Sequence, residues 1–197
     1  MIFISTSDIW KRAEEDQTSN AFEVWKCLQE QREQNELCDV CITCSDGSLY
    51  AHRCVLAALS PYFKALFTGM MFQQTDSNEN NADLSEFSMS SVGFLLDLLY
   101  EKKDIVDTTI DCIEFLQLLD FVQVDKYGDM VSMAIRPHID IENCLDLFQI
   151  SCSLQATKLK QLVRRFVGRH FDMLINSDQW RKVTGKVVQE LFKESIG

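Results

Sequence analysis

Three cysteines with the spacing of metal ligands stand in the first quarter of the chain. Cys38, Cys41 and Cys44 are each separated by two residues, as in zinc and iron–sulfur sites. The apolar residues Val40 and Ile42 alternate with polar residues across the same segment, which indicates a strand. On a strand, side chains three apart point to opposite faces, and Cys38 and Cys44 would lie roughly 20 Å apart. Because metal ligands must converge, the pattern favours strand packing over chelation.

Asp39, His52 and Ser60 are the side-chain types of a hydrolytic triad. No nucleophile elbow, glycine-lined oxyanion loop or phosphate-binding glycine motif accompanies them. A His between a hairpin and an apolar helix is typical of a hydrogen-bonded structural residue, and His138 and His170 have no ligand-like neighbours. The sequence therefore predicts a protein that is not an enzyme and has no metal or cofactor. A redox or metal enzyme built on the cysteines is the alternative from a different class.

A run of basic residues invites a nucleic-acid interpretation. Projected on a helix, these residues flank the apolar stripe on two sides, so they form a solvated face and not one basic stripe. The first side holds Lys158, Arg165 and Arg169, and the second holds Lys160 and Arg164.

Composition supports the same conclusion. The 197 residues are 46% hydrophobic and 25% charged, and 30 acidic against 19 basic side chains give a formal charge of −11. A surface this acidic repels phosphate backbones and anionic lipids and favours protein partners. Only 7 Gly and 2 Pro predict mostly helices. The first residues are too short an apolar run for a signal peptide, so we expect a location in the cytoplasm or nucleus and reduced thiols at the eight cysteines.

Periodicity and turn residues predict the elements. Residues 1–20 form an arm, a helical pattern runs through Phe22, Val24, Trp25 and Leu28, and residues 38–52 form a hairpin around Ser45-Asp46-Gly47-Ser48. The further predicted elements are a helix Arg53–Leu59, a helix Tyr62–Phe67 capped by Ser60 with Pro61 at its first position, a polar loop Gln73–Asp83, a strand near Leu84, a helix Met89–Tyr100 capped by Ser88, and a helix Ile110–Val124 capped by Thr109.

The last two of these helices are apolar all round. Phe94, Leu95, Leu96, Leu98 and Leu99 cannot share one face, and a helix of this kind is buried on all sides. We therefore expect another chain to cover part of this surface. Arg136-Pro137 marks a domain boundary, followed by helices at 141–151, 156–175 and 177–194.

The first 135 residues contain a long and specific match to a known pattern. Cys38-Asp39-Val40 and the run Ala51–Thr68 (AHRCVLAALSPYFKALFT) resemble a BTB (POZ) domain. After Pro137, Ile141–Leu145 and Leu159-x-x-Leu162 are similar to the opening of the BACK domain of kelch-like proteins. The resemblance implies an α+β fold, with a small sheet flanked by helices, then an all-helical segment. The implied division is an arm over 1–20, a BTB domain over 21–136 and a partial BACK-like segment over 137–197.

The resemblance also implies roles for single residues. Asp39 and His52 would be buried structural residues that link strand and helix, with Ser60 beside them as a structural cap. Phe22, Val24, Trp25 and Leu28 would pack against a second copy in a homodimer, and the arm Ile2–Ile4 would add a strand to the partner.

Kelch-like BTB proteins act as adaptors of cullin-3 ubiquitin ligases, and this resemblance implies the N-terminal region of cullin-3 and an unknown substrate protein as partners. Met71, Phe72 and Gln73 match the family's contact triplet, and Tyr100 matches a position that faces the cullin. Gln73 departs from the family's Glu and lacks its charge, which weakens a charge-assisted hydrogen bond. A BTB dimer that serves as a scaffold or transcriptional co-regulator without cullin is therefore the alternative. Neither role implies nucleic-acid or membrane binding.

Overall fold

A computed structural model describes residues 23–69, 81–100, 111–182 and 185–192. The chain divides into two compact units, residues 1–104 and residues 105–197. The predicted arm over 1–20 lies outside the described residues, and the predicted boundary at Pro137 stays a prediction.

The first unit combines a three-stranded sheet with short helices, as an α+β fold requires. Its elements are α1 (23–33), β1 (Val40–Cys44), β2 (Gly47–Ala51), α2 (Arg53–Leu59), α3 (Pro61–Phe67), β3 (Asn81–Leu84) and α4 (Met89–Leu99).

The sheet has the order β2-β1-β3, with β1 in the centre. β1 and β2 form the predicted hairpin, in which Ile42 pairs with Leu49, and β3 pairs with β1 in parallel. Val40, Ile42 and Cys44 are buried, as the alternation of the sequence predicts. The Asp46 carboxylate at the hairpin turn accepts a hydrogen bond from Met89 N at 2.6 Å, which ties the turn to the start of α4.

The junction of α2 and α3 follows its sequence signals. Ser60 ends α2 in an extended conformation and begins α3, where its hydroxyl accepts a hydrogen bond from Phe63 N at 3.2 Å. Pro61 occupies the first turn, where it sacrifices no helical hydrogen bond. The predicted cap is therefore present, and the short α3 starts at a defined residue.

α4 is buried on all sides within this single chain. Phe94, Leu95, Leu96, Leu98 and Leu99 are each at most 3% exposed, and α4 packs against β2 and α2. In the next helix, Phe115, Leu116, Leu118 and Leu119 are buried as well, whereas Phe121 is 41% exposed. The expectation that another chain must cover this surface was therefore wrong for α4, because sequence periodicity measures how much of a helix is buried and not which chain buries it.

The second unit is helical throughout its described residues. It contains α5 (Cys112–Phe121), α6 (Gly128–Ile135), α7 (Cys144–Ser153), α8 (Thr157–Arg169), α9 (Phe171–Leu174), α10 (Asp178–Lys182) and α11 (Gly185–Phe192), with single 3-10 turns at Asp125–Tyr127 and Arg136–His138.

Several helix ends in this unit differ from the prediction. Asp111, not Thr109, caps α5: its carboxylate accepts hydrogen bonds from Ile113 N and Glu114 N. The Asp140 carboxylate likewise accepts hydrogen bonds from Glu142 N and Asn143 N. These bonds form a turn, so α7 begins at Cys144 and not at the predicted residue 141.

One predicted helix is divided in the structure. The helix expected over 156–175 breaks at His170, whose φ of −120° and ψ of 22° are not helical. The helix expected over 177–194 is represented by α10 and α11, and residues 183 and 184 between them lie outside the described residues. α6 has no counterpart among the predicted helices.

The described helices are short. α8 has 13 residues, whereas the hydrocarbon core of a bilayer requires about 20. Within the described ranges, no helix has the length and apolarity of a membrane span.

The cap at Ser60 gives a direct test of the α2–α3 junction. Ser60→Ala removes a buried acceptor for Phe63 N, so we expect a loss of about 1 kcal/mol of unfolding free energy in a urea titration. Ser48→Ala is the matched control, because Ser48 is exposed on β2 and should change stability by less than about 0.5 kcal/mol. Equal effects of the two substitutions would contradict the capping role.

Candidate functional site

The structure describes some of the predicted contact residues and not others. Met71, Phe72 and Gln73 of the predicted triplet, Phe22 of the predicted dimer face and the arm Ile2–Ile4 lie outside the described residues. The other predicted residues are described, and they belong to the first unit.

Tyr100 does not fit its predicted surface role. Its side chain is 0% exposed at the end of α4, so it cannot face a cullin from this position. Burial raises the pKa of Tyr100 to about 12, which keeps the phenol neutral at physiological pH.

The Tyr100 hydroxyl is instead half of a buried pair with His52. Its oxygen lies 2.9 Å from His52 N and 2.7 Å from His52 Nδ1, while His52 Nε2 lies 3.1 Å from the Glu36 carbonyl oxygen. One assignment satisfies every donor: His52 N donates to the hydroxyl, the hydroxyl donates to Nδ1, and the Nε2 proton is donated to the Glu36 carbonyl. The His52 imidazole therefore joins α4, the start of α2 and the segment before β1.

Asp39 links the same elements but is not buried. The prediction placed it in the interior, whereas its side chain is exposed. Its carboxylate accepts a hydrogen bond from Arg53 N at 2.7 Å, at the start of α2, where the residue in the N-cap position, His52, provides no side-chain cap. A carboxylate at a helix N-terminus can accept the hydrogen bond of Arg53 N from the solvent side, so Asp39 does not need to be buried for this role.

α1 is attached to the end of α4 by polar contacts. Gln29 donates a hydrogen bond to the Tyr100 carbonyl, and Arg32 pairs with Asp97. The Arg32 guanidinium also lies 4.9 Å from the centre of the Tyr100 ring. Tyr100 thus contacts α1 through its carbonyl and its ring, and it contacts His52, which follows the hairpin, through its hydroxyl.

The predicted dimer face of α1 is partly open to solvent. Trp25 and Leu28 are half-buried and share the helix face of Gln29 and Arg32, so they lie toward their own unit. Val24 lies about 40° from Leu28 and about 100° from Trp25 around the helix, at the edge of this face, and is 59% exposed.

Sequence reasoning missed an apolar surface residue that follows α1. Leu37 is 77% exposed and has a φ of 54°, a left-handed conformation that is costly for a branched side chain. The pattern offered no signal for it, because an apolar residue before a buried strand is normally expected in the core. Val24, in the first turn of α1, and Leu37, four residues after its end, are two separate exposed apolar positions, and we refer to this pair of positions as the open face.

The cysteines do not form a reactive or chelating group. Cys38 Sγ lies 3.9 Å from His52 Nε2, but burial raises the pKa of the Cys38 thiol despite the nearby Arg32 charge, which disfavours a thiolate nucleophile. Alternation along β1 turns Cys41 to the opposite face from Cys44, whose pKa burial raises to about 11. Within the described ranges, no three His, Cys, Asp or Glu side chains are grouped to hold a metal ion.

In the second unit, one side of the basic α8 serves internal packing. Lys160 Nζ lies 2.7 Å from Glu190 Oε1, and Arg164 donates to the Glu190 carbonyl at 2.7 Å. Both cations lie within 6 Å of the Phe148 ring centre, so this side joins α8 to α7 and α11.

Comparisons with known proteins agree with this architecture. A family model described as the BTB/POZ domain matches residues 28–139. The human Kelch repeat and BTB domain-containing protein 3 is 34% identical over 164 residues, which cover 83% of this chain and 26% of that protein. Kelch-like protein 26 of Danio rerio is 29% identical over 150 residues (76% and 24%), and Kelch-like protein 8 of Caenorhabditis elegans is 26% identical over 181 residues (92% and 25%). The chain therefore spans about a quarter of the length of these curated relatives.

The Tyr100 hydroxyl is the part of this site that can be removed alone. Tyr100→Phe leaves the buried His52 N–H and Nδ1 without their partner, and we expect unfolding free energy to fall by about 1–3 kcal/mol in denaturant titrations. The control is Tyr50→Phe, since Tyr50 is 49% exposed and water replaces any contact of its hydroxyl. If Tyr100→Phe were as mild as the control, the hydroxyl would not anchor His52.

Proposed function

Since the chain belongs to the BTB/POZ family, within its kelch-like group, we propose that it is a homodimeric adaptor that holds a cullin-3 ubiquitin ligase beside a substrate protein. It acts by binding and has no active site of its own. The observation that carries this proposal is the BTB/POZ match over residues 28–139 together with relatives named for kelch repeats and BTB domains.

The open face supports the homodimer. An isolated chain already buries α4 and most apolar residues of α5, so a dimer cannot be argued from an uncovered core. Val24 and Leu37 are exposed apolar side chains at α1 and just after it, and contact with a second copy would remove them from water. The resemblance assigns α1 to the contact between copies, and the attachment of α1 to α4 holds it ready for that contact without reorganisation.

The cullin contact rests on the triplet Met71, Phe72 and Gln73. Apolar anchors in pockets carry most of the energy of an interface, which suits Met71 and Phe72. Tyr100 has no part in this contact, because it is buried. The BACK-like helices at 141–151 and 156–175 would extend the contact. A location in the cytoplasm or nucleus is part of the same proposal.

A BTB scaffold that dimerises without cullin is the second candidate function. Gln73 favours it, because an amide in place of the family's carboxylate loses the charge-assisted part of the hydrogen bond. The two functions differ in one measurable property, the affinity for the N-terminal region of cullin-3.

The open face can be tested by charge substitution. Val24→Asp and Leu37→Asp each place a carboxylate in the proposed dimer contact, and we expect dimer dissociation constants to rise at least about 30-fold in sedimentation equilibrium. Asp also tolerates the left-handed conformation of residue 37, so this variant should not strain the chain. Ser48→Asp is the control, because it adds the same charge at an exposed strand position and should leave the dimer intact. An unchanged dimer in both face variants would place the interface elsewhere.

The triplet can be tested by restoring the family's charge. We expect Gln73→Glu to leave the affinity for the cullin-3 N-terminal region unchanged or to raise it by up to about tenfold, measured by calorimetry. Met71→Asp should weaken binding, since an unpaired charge is costly to bury. Gln74→Glu has the same charge change one residue later and controls for general electrostatics. A clear loss of affinity in Gln73→Glu alone would refute the alignment of the triplet, and absence of binding by both the wild type and Gln73→Glu would favour the scaffold.

A further inference from the structure

α8 carries a second set of cations that its internal packing does not use. Arg165 and Arg169 are exposed and Lys158 is half-buried. None of the three pairs with a carboxylate of the described residues, unlike Lys160 on the opposite side. We call Lys158, Arg165 and Arg169 the basic flank.

The basic flank is a continuous row and not scattered charge. At 100° per residue, its members lie within a sector of about 40°. At about 1.5 Å per residue, they extend over about 16 Å of the helix. Stabilisation of the helix accounts for Arg169 in the last turn of α8 but not for Lys158, which stands in the first turn, where the helix dipole disfavours a cation.

The charge of the whole chain changes sign before α8. Residues 1–146 hold 10 basic and 26 acidic side chains, a formal charge of −16, whereas residues 147–197 hold 9 basic and 4 acidic side chains, a formal charge of +5. All four of those acids follow α8 in the sequence, and two of them pair with cations: Glu190 with Lys160 and Asp178 with Arg181. The basic flank therefore stands in a part of this acidic sequence that carries a net positive charge.

We propose that the basic flank binds an acidic polypeptide segment of a partner protein. About five extended residues, at roughly 3.3 Å each, match the length of the flank. Guanidinium groups bind carboxylates through paired hydrogen bonds, which suits the two arginines. This inference goes beyond the proposed function and does not depend on cullin binding.

The size of the anion favours a peptide over a nucleic acid or a membrane. At physiological salt, charges are screened over about 8 Å, so a short acidic segment is attracted mainly by the three cations. A long polyanion is attracted by the same three cations but carries many more charges, and the net charge of −11 on the whole chain disfavours its association.

Fluorescence anisotropy tests the proposal with a labelled ten-residue polyglutamate peptide and the 197-residue chain. We expect saturable binding that weakens when salt is raised, and about tenfold weaker binding for Arg165→Glu combined with Arg169→Glu. The matched control combines Lys126→Glu with Arg136→Glu, two exposed residues of the same unit whose substitution changes the net charge equally, and it should stay within about twofold of the wild type. Circular dichroism verifies that each variant is folded. If the double variant is not folded, the single substitutions Arg165→Gln and Arg169→Gln replace it, and each should weaken binding about two- to fivefold.

Three results would overturn the proposal. The first is the absence of saturable peptide binding by the wild type. The second is an equal loss in the control variant, which would show a diffuse field and not a binding flank. The third is tighter binding of a labelled ten-nucleotide single strand than of the peptide, which would assign the flank to nucleic acid.

Discussion

The buried hydroxyl of Tyr100 and its partner His52 connect three segments of the first unit: the end of α4, the start of α2 and the residues before β1. The hydroxyl pairs with both the backbone and the imidazole of His52, and His52 in turn binds the carbonyl of Glu36. The carbonyl and ring of Tyr100 meanwhile hold Gln29 and Arg32 of α1. An unmade hydrogen bond in such a site costs more than a made bond contributes, so these elements keep one arrangement. The orientation of α1, and hence the exposure of Val24, follows from that arrangement.

Local signals in the sequence predicted the elements whose causes are local. Alternation and a tight turn identified the hairpin, and Ser60-Pro61 identified the start of α3, because strand pairing across a short turn and helix capping involve neighbours in the chain. Thr109 and Asp111 are both good caps two residues apart, so only the structure could choose between them.

The failed predictions concern long-range contacts. The resemblance placed Tyr100 toward a cullin, whereas Tyr100 is buried against His52, 48 positions away in the chain, which no local pattern reveals. The resemblance also implied that Asp39 is buried, although it caps α2 from the surface. The all-round apolar pattern of α4 was correctly interpreted as burial but wrongly assigned to a second chain.

The burial of α4 within its own chain changes the basis of the proposed function. A chain that covers its own core selects partners by surface groups. We propose that it does so through the open face, the triplet Met71 to Gln73 and the basic flank. The first two would supply apolar anchors for defined partners, whereas the basic flank would add electrostatic steering that depends on salt. Light scattering of the chain mixed with the N-terminal region of cullin-3 decides whether the chain is a homodimer that binds cullin. We expect a complex that contains two 22.7 kDa chains and two cullin fragments, and a 22.7 kDa monomer that elutes apart from cullin would refute the proposed adaptor function.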